Sequence, residues 1–186
     1  MNRIDRLMME DNMKKSSTSV NRKNEIIAAA IEVFAEQGYY RATTAQVAER
    51  AEISQPYVFR FFSTKEKLLV EALEASWTRI IEAFQAIVTS ASDEELERQL
   101  IVAYADIMNA HRNEIILQMQ AQTIQEPAIA EVMQRRFHEI HEMVYRAFEK
   151  AGMERPLERT LLFLARGMLC NISMSLNLPE LMKMED

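Results

Sequence analysis

The chain has 186 residues, 48% of them apolar, with three glycines, four prolines and one cysteine, a composition that suits an almost wholly helical protein and excludes an internal disulfide framework. The net charge of −6 is unevenly spread, with 11 Lys and Arg against 9 Asp and Glu in residues 1–70 and 11 against 19 in residues 71–186, so the acidic total does not exclude nucleic-acid binding by the first third. There is no N-terminal apolar run suited to a signal peptide and no apolar stretch of membrane-spanning length, so a soluble cytoplasmic protein is expected.

Residues 1–20 hold Arg3, Arg6, Lys14 and Lys15 around Ser16-Ser17-Thr18-Ser19 and read as a flexible basic arm. The arm is either an inert tail or a source of cations, with Lys14, Lys15, Arg22 and Lys23 reaching a DNA minor groove or backbone. A helix start follows at Thr43, whose hydroxyl can cap the third helical amide while Gln46 reaches back. Val47, Ala48 and Ala51 give that helix an apolar face with a small residue in its middle, and Ile53 plugs the corner behind it.

Ser54 is a second N-cap, and Pro56 fits the first helical turn because the amides there have no intrahelical acceptor to lose. The helix it opens, residues 55–61, is too short to stand alone, so Val58, Phe61 and Phe62 must anchor it. Gln55, Pro56, Tyr57, Phe59 and Arg60 are left for the outer face. Two short helices around a tight turn, the second carrying Gln, Tyr and Arg, form the pattern of a helix-turn-helix that enters DNA: Gln can pair with adenine, Arg with guanine or phosphate, and Tyr can donate to a phosphate. Thr43, Thr44, Ser54, Gln55, Pro56, Tyr57, Arg60 and Lys65 are the candidate DNA-binding residues. Lys65 stands in the first turn of the next helix, capped by Ser63 or Thr64, at the unfavourable end of the macrodipole for a cation. A bound phosphate would explain that placement, and so would a solvated surface lysine.

Downstream, Leu68, Leu69, Ala72, Leu73, Trp77, Ile80, Phe84 and Val88 mark a long amphipathic helix, the natural lever out of the head. Ser92-Asp93 caps the next, with the stripe Leu96, Leu100, Tyr104, Met108 and His111, and a shorter helix spans 113–124. Pro127 opens a helix closed by Gly152, and Pro156 opens the last, 157–178, before Pro179. That last helix is apolar nearly all round and must be buried on several sides, most simply by pairing with a second copy. Trp77, Tyr104, Met108, His111, Met119, Gln122, Phe163 and Arg166, with Gln118 and Asn171, combine apolar walls and polar groups as a small-molecule pocket would. Arg166 could anchor an anionic ligand or form half of an interface ion pair.

Enzyme and metal readings find little support. His138, His141 and Glu142 share a helix face but lack the spacing of a zinc protease, Cys170 has an apolar sequence context, and neither a glycine-rich phosphate loop nor a nucleophile motif occurs. No catalytic residue, metal or cofactor is expected.

Phe34-Ala35-Glu36-Gln37-Gly38-Tyr39, then Thr43-Thr44, Phe59-Arg60-Phe61-Phe62 and Lys65-Glu66-Lys67-Leu68-Leu69 follow at fixed spacing within residues 22–73. This run resembles the DNA-binding head of the TetR family of transcriptional regulators. The resemblance implies an all-α protein, with a three-helix helix-turn-helix head on residues 21–67 and a helical ligand-binding and dimerisation body on residues 68–186. It further implies a homodimer that binds a palindromic operator in double-stranded DNA as a repressor and is released by a small apolar or amphipathic effector. Control by a protein partner is the alternative. Dimer contacts are then expected across residues 127–178, at Phe137, His141, Val144, Leu162, Leu169 and Ile172. Two residues depart from the family pattern. Glu52 stands where the turn usually has Gly, at about 1–2 kcal/mol if φ is positive, and Phe59 replaces a phosphate-binding Tyr.

Overall fold

The computed structural model describes the backbone of residues 3–182 and the side chains of residues 19–181. It consists of eight α-helices: α1 (Arg3–Gln37), α2 (Thr44–Arg50), α3 (Gln55–Phe59), α4 (Lys65–Ser90), α5 (Leu96–Ala110), α6 (Arg112–Ala121), α7 (Pro127–Lys150) and α8 (Pro156–Leu176). A 3-10 turn at Pro179–Met182 follows. The described residues include no strand and no helix long and apolar enough to cross a membrane. The fold is therefore all-α, and it divides inside α4 into two compact units, Met1–Ala72 and Leu73–Asp186.

In the first unit, Ile26, Ala30, Val33 and Phe34 of α1 pack with Val47 and Ala48 of α2, Val58 of α3, Phe62, and Leu68 and Leu69 of α4, all buried. Arg50 ties α2 to α1 by donating to Glu32 at 2.6 Å and to both oxygens of Glu36 at 2.7 and 3.0 Å. The hydrogen bonds from Arg50 hold the Glu36 carboxyl below its ordinary pKa. Backbone helix extends back to Arg3, through the stretch expected as a flexible arm; Leu7, Met8, Met9, Glu10, Met13, Lys14 and Lys15 are good helix formers. The expected contacts of Lys14 and Lys15 lie outside the described residues. Arg22 and Lys23, named with them as possible DNA contacts, have partners within the unit: Glu25 at 2.6 Å and Glu71 at 2.8 Å.

The capping box at Thr43 is formed: the Gln46 amide donates to the Thr43 hydroxyl at 3.2 Å, and the Thr43 amide donates to Gln46 Oε1 at 2.9 Å. Helix α2 ends in a Schellman closure, with the Glu52 amide on the Glu49 carbonyl and the Ile53 amide on the Ala48 carbonyl at 2.9 Å. Glu52 takes the left-handed position at φ 55°, the strained placement anticipated for a non-glycine residue there.

In the second unit, α7 and α8 pack together, with α5 and α6 against α8. Ile129, Val132, Ile140, Val144 and Phe148 of α7 are buried with Leu96, Leu100, Ile115 and Leu117. Helix α5 starts at Leu96 behind a Glu95 N-cap that makes no side-chain bond, so Ser92-Asp93 does not cap it directly. Helix α7 closes with the geometry of α2, here with Gly152 at φ 67° in the left-handed position and the Met153 amide on the Phe148 carbonyl.

Candidate functional site

Helices α2 and α3 present the expected outward face. Thr43, Ser54, Gln55, Pro56, Phe59 and Arg60 are exposed, and Tyr57 is half-buried. The Arg60 guanidinium lies 5.2 Å over the Tyr57 ring, whose edge packs on Phe61 at 5.4 Å. That stack holds a cation and a phenol in one fixed group, which reduces the side-chain entropy lost on contact with a polyanion. Phe59 is 44% exposed and, lacking a hydroxyl, offers only an apolar edge.

Three candidates have roles other than those their sequence positions suggested. Thr44 is buried, and its hydroxyl accepts from Gln55 Nε2 at 2.9 Å, so it orients Gln55 from behind. Ser54 occupies the N-cap position without a side-chain cap bond: Pro56 supplies no amide, and the Tyr57 amide goes to the Ser54 carbonyl at 2.9 Å. Lys65 faces inward. Its ammonium donates to the carbonyls of Tyr39 at 2.8 Å, Ala42 at 3.1 Å and Tyr40 at 3.5 Å, and lies 4.6 Å from the centre of the Tyr39 ring. An ammonium has three donors, and all three are engaged. Lys65 thus braces the 39–42 turn instead of presenting its ammonium to a phosphate at the start of α4, where Thr64 caps the Lys67 amide at 3.1 Å.

The second unit holds a partly open cavity of about 280 Å³ lined by α4, α5, α6, α7 and α8. Its apolar lining includes Trp77, Ile80, Phe84, Phe137, Ile140 and Phe163. Trp77 and Phe137 meet edge to face at 5.0 Å, and Trp77 donates its indole N–H to Met133 Sδ at 3.4 Å. The cavity's polar groups come from α5, α6 and α8. The Tyr104 hydroxyl donates to Asn171 Oδ1 at 2.8 Å, and burial pushes the phenol up to about 12. Gln118 is buried and donates to Ser76 Oγ at 3.0 Å. Arg166 is exposed and also lines the cavity.

Of the residues proposed from the sequence for a pocket, Trp77, Tyr104, Met108, Gln122, Phe163 and Arg166 line this cavity, while His111 and Met119 do not. His111 forms the break between α5 and α6, with Nδ1 3.5 Å from Glu114; Met119 is half-buried off the cavity. Phe137, assigned to a dimer contact, is instead a cavity wall, because the same α7 face that carries Ile140 turns inward against Trp77. Val144 is wholly buried in the protomer's own core. His141 is half-buried and stacks on Tyr145. Leu162, Leu169 and Ile172 are exposed at 63%, 40% and 42%, in a row with Leu161 and Leu176 on one face of α8.

The sequence reading missed Gly167 as a wall residue. A Cβ built there would stand 3.6 Å from the Tyr104 ring. The clue was present: a glycine inside a helix costs about 1 kcal/mol against alanine and points to a close approach. Among the described residues, no group of three or more His, Cys, Asp or Glu is placed to hold a metal ion.

Residues 26–72 match the model of the bacterial regulatory proteins of the tetR family. The first unit therefore belongs to that family. The transcriptional activator FasR of Mycolicibacterium smegmatis is 26% identical over 110 residues, covering 59% of this chain and 50% of FasR, so the chain spans about half of that relative's length. The regulator FadR from Bacillus subtilis, solved with stearoyl-CoA, superposes with a TM-score of 0.69 at 15% identity over 82% of this chain and 87% of FadR. AibR, solved with isovaleryl coenzyme A and operator DNA, gives a TM-score of 0.69 at 18% identity over 81% and 85%. At these identities the likeness extends to the fold of both units, including the body that holds the cavity.

Proposed function

We propose that this protein is a DNA-binding transcriptional repressor that grips a palindromic operator as a homodimer and lets go when an amphipathic small molecule fills the body cavity. The observation that carries the reading is one chain with an outward-facing Gln55, Tyr57 and Arg60 on a short helix and a partly apolar cavity in its second unit. The exposed row Leu161, Leu162, Leu169, Ile172 and Leu176 supports pairing of two α8 helices, since a patch of this kind marks an interaction surface. Two-fold pairing would give two recognition helices for two half-sites. Helix α4 begins in the first unit, and its Trp77, Ile80 and Phe84 line the cavity, so occupancy has a continuous element through which to act.

The cavity favours a small molecule over a protein as the controlling partner. FadR and AibR were both solved with acyl-coenzyme A ligands, which makes an acyl group a reasonable first choice for the tail. The test is a mobility shift on the DNA upstream of the protein's own gene at fixed salt. Tyr57→Ala and Arg60→Ala should each weaken the shift by about 10- to 100-fold, the range for loss of a base or paired phosphate contact of about 1–3 kcal/mol. If both variants still separate that DNA from random sequence as well as the parent does, α3 is not the recognition helix.

A further inference from the structure

The body carries nine arginines, and eight of them are held by the protein itself. Arg79, Arg98, Arg135, Arg136, Arg146, Arg155 and Arg159 each meet a carboxylate, and Arg112 donates to the Met174 carbonyl. Arg166 makes no hydrogen bond and no ion pair with any described residue. It is exposed and lines both the cavity, where Tyr104, Gln118, Gln122 and Asn171 are the other polar groups and Trp77 and Ile80 are buried in the wall, and a second recess that holds Asp93, Glu94 and Glu97. A guanidinium left unpaired in an acidic unit, beside an apolar cavity, forms half of a recognition site: its five N–H groups form a planar fork suited to carboxylate or phosphate.

We infer that the cavity selects an anionic amphiphile, with its acidic end on Arg166 and its apolar tail running towards Trp77 and Phe137. This rests on the ligand-controlled reading above and specifies the charge and orientation of the ligand. The anion can be the carboxylate of a free fatty acid or a phosphate of an acyl-CoA; both offer oxygens to the same fork. Tyr104 remains a neutral hydrogen-bond donor at physiological pH, so its hydroxyl adds no negative charge to oppose the anion.

Trp77 is the single tryptophan of the chain and is 4% exposed in the cavity wall, so its fluorescence reports occupancy without a label. The full-length protein is titrated with decanoate, decanoyl-CoA and the neutral decanol, alongside Arg166→Gln. At least one anionic probe should bind about tenfold or more tightly than decanol, and Arg166→Gln should remove that advantage while leaving decanol affinity unchanged. The anion that responds to Arg166→Gln identifies the source, a carboxylate or a phosphate-bearing thioester. Orientation is checked with brominated acids: 10-bromodecanoate, with its heavy atom at the tail, should quench Trp77 more strongly than 2-bromodecanoate. Equal affinity for decanol and both anions, indifferent to Arg166→Gln, would overturn the inference and leave the cavity reading standing. Stronger quenching by 2-bromodecanoate would overturn the orientation. If no probe alters Trp77, the ligand reading fails and the inference falls with it. Arg166→Gln yielding monomers in the absence of any ligand would reassign Arg166 to an interface ion pair.

Discussion

The head and the body differ in how completely they pack themselves. In the head, the side chains of α1 to α3 and the start of α4 close a buried core, and Arg50 and Lys65 find their partners within that unit. The body retains a cavity of about 280 Å³ inside and a row of exposed leucines and isoleucine outside, and α8 forms part of both. A void forfeits dispersion contacts and an exposed apolar row forfeits burial, so each lowers the stability the same residues could supply. The contrast between Lys65 and Arg166 shows the difference in single residues: one cation is satisfied by three carbonyls of its own chain, the other by none. Lys65 braces the scaffold, while Arg166 is left to solvent or to another molecule.

The largest effect should come from breaking the exposed row. Leu169→Glu places a carboxylate among Leu162, Leu161 and Ile172, and sedimentation should then show monomers. Operator affinity should fall by about 100-fold or more, because a lone head reaches one half-site only. Helical content should be unchanged, since Leu169 is outside the protomer core. A dimer that survives this substitution would mean that the body is complete without its α8 face.

Lys65 tests the head side of the comparison. Lys65→Met keeps much of the apolar stem but removes the donor from the carbonyls of Tyr39 and Ala42. The cost should be about 1.5–3 kcal/mol, measured by urea unfolding. Operator affinity below the melting transition should keep the parent's salt dependence. Had Lys65 met a phosphate, the slope of log K against log salt would shrink by about 1. A shallower slope with unaltered stability would return Lys65 to the DNA-binding surface.

These residues also show what could be read in the chain itself. The head was legible because its signals are local: the Thr43–Gln46 capping box, Pro56 in the first turn of α3, and anchors at helical spacing. The cavity was partly legible, since residues such as Trp77, Tyr104, Phe163 and Arg166 carry the right chemistry, but periodicity gives only which face of a helix is apolar, not which element it meets. Phe137 and Val144 lie on one α7 stripe; one became a cavity wall and the other core, and only the packing of α4 and α8 separates them. Lys65 was misread for a similar reason. Its acceptors are backbone carbonyls more than twenty residues earlier, and a carbonyl leaves no mark on a sequence.

Tyr104 sharpens the body side. Its hydroxyl bonds Asn171, so Tyr104→Phe should cost about 1 kcal/mol near pH 8. The phenol is pushed by burial from its ordinary 10 up to about 12, so the folded state resists its ionisation while the unfolded chain does not. Its contribution is therefore intact below pH 10 and is lost as pH rises from 10 towards 12. Over that window Tyr104→Phe should gain on the parent by roughly 2 kcal/mol at 1.36 kcal/mol per unit. Parallel stability curves for the two proteins would mean that water reaches the phenol and the cavity is wetter on that side than its lining implies.

The smallest effect belongs to two matched turns. Helices α2 and α7 end in the same hydrogen-bonded closure, with Glu52 at φ 55° in one and Gly152 at φ 67° in the other. The left-handed backbone is therefore imposed by the closure and not by the residue that occupies it. Glu52→Gly should relieve about 1–2 kcal/mol of side-chain crowding and lose part of that to the greater freedom of glycine in the unfolded chain, a net gain of about 0.5–1 kcal/mol. Gly152→Ala should cost about 1 kcal/mol from backbone conformation alone, because a Cβ there meets nothing within 4 Å. Thermal unfolding of both variants measures the same strain from opposite sides. If Glu52→Gly brings no gain while Gly152→Ala does cost stability, the head holds its turn by something other than the shared closure. The helix-turn-helix angle, and with it the presentation of Gln55, Tyr57 and Arg60, would then depend on the glutamate itself.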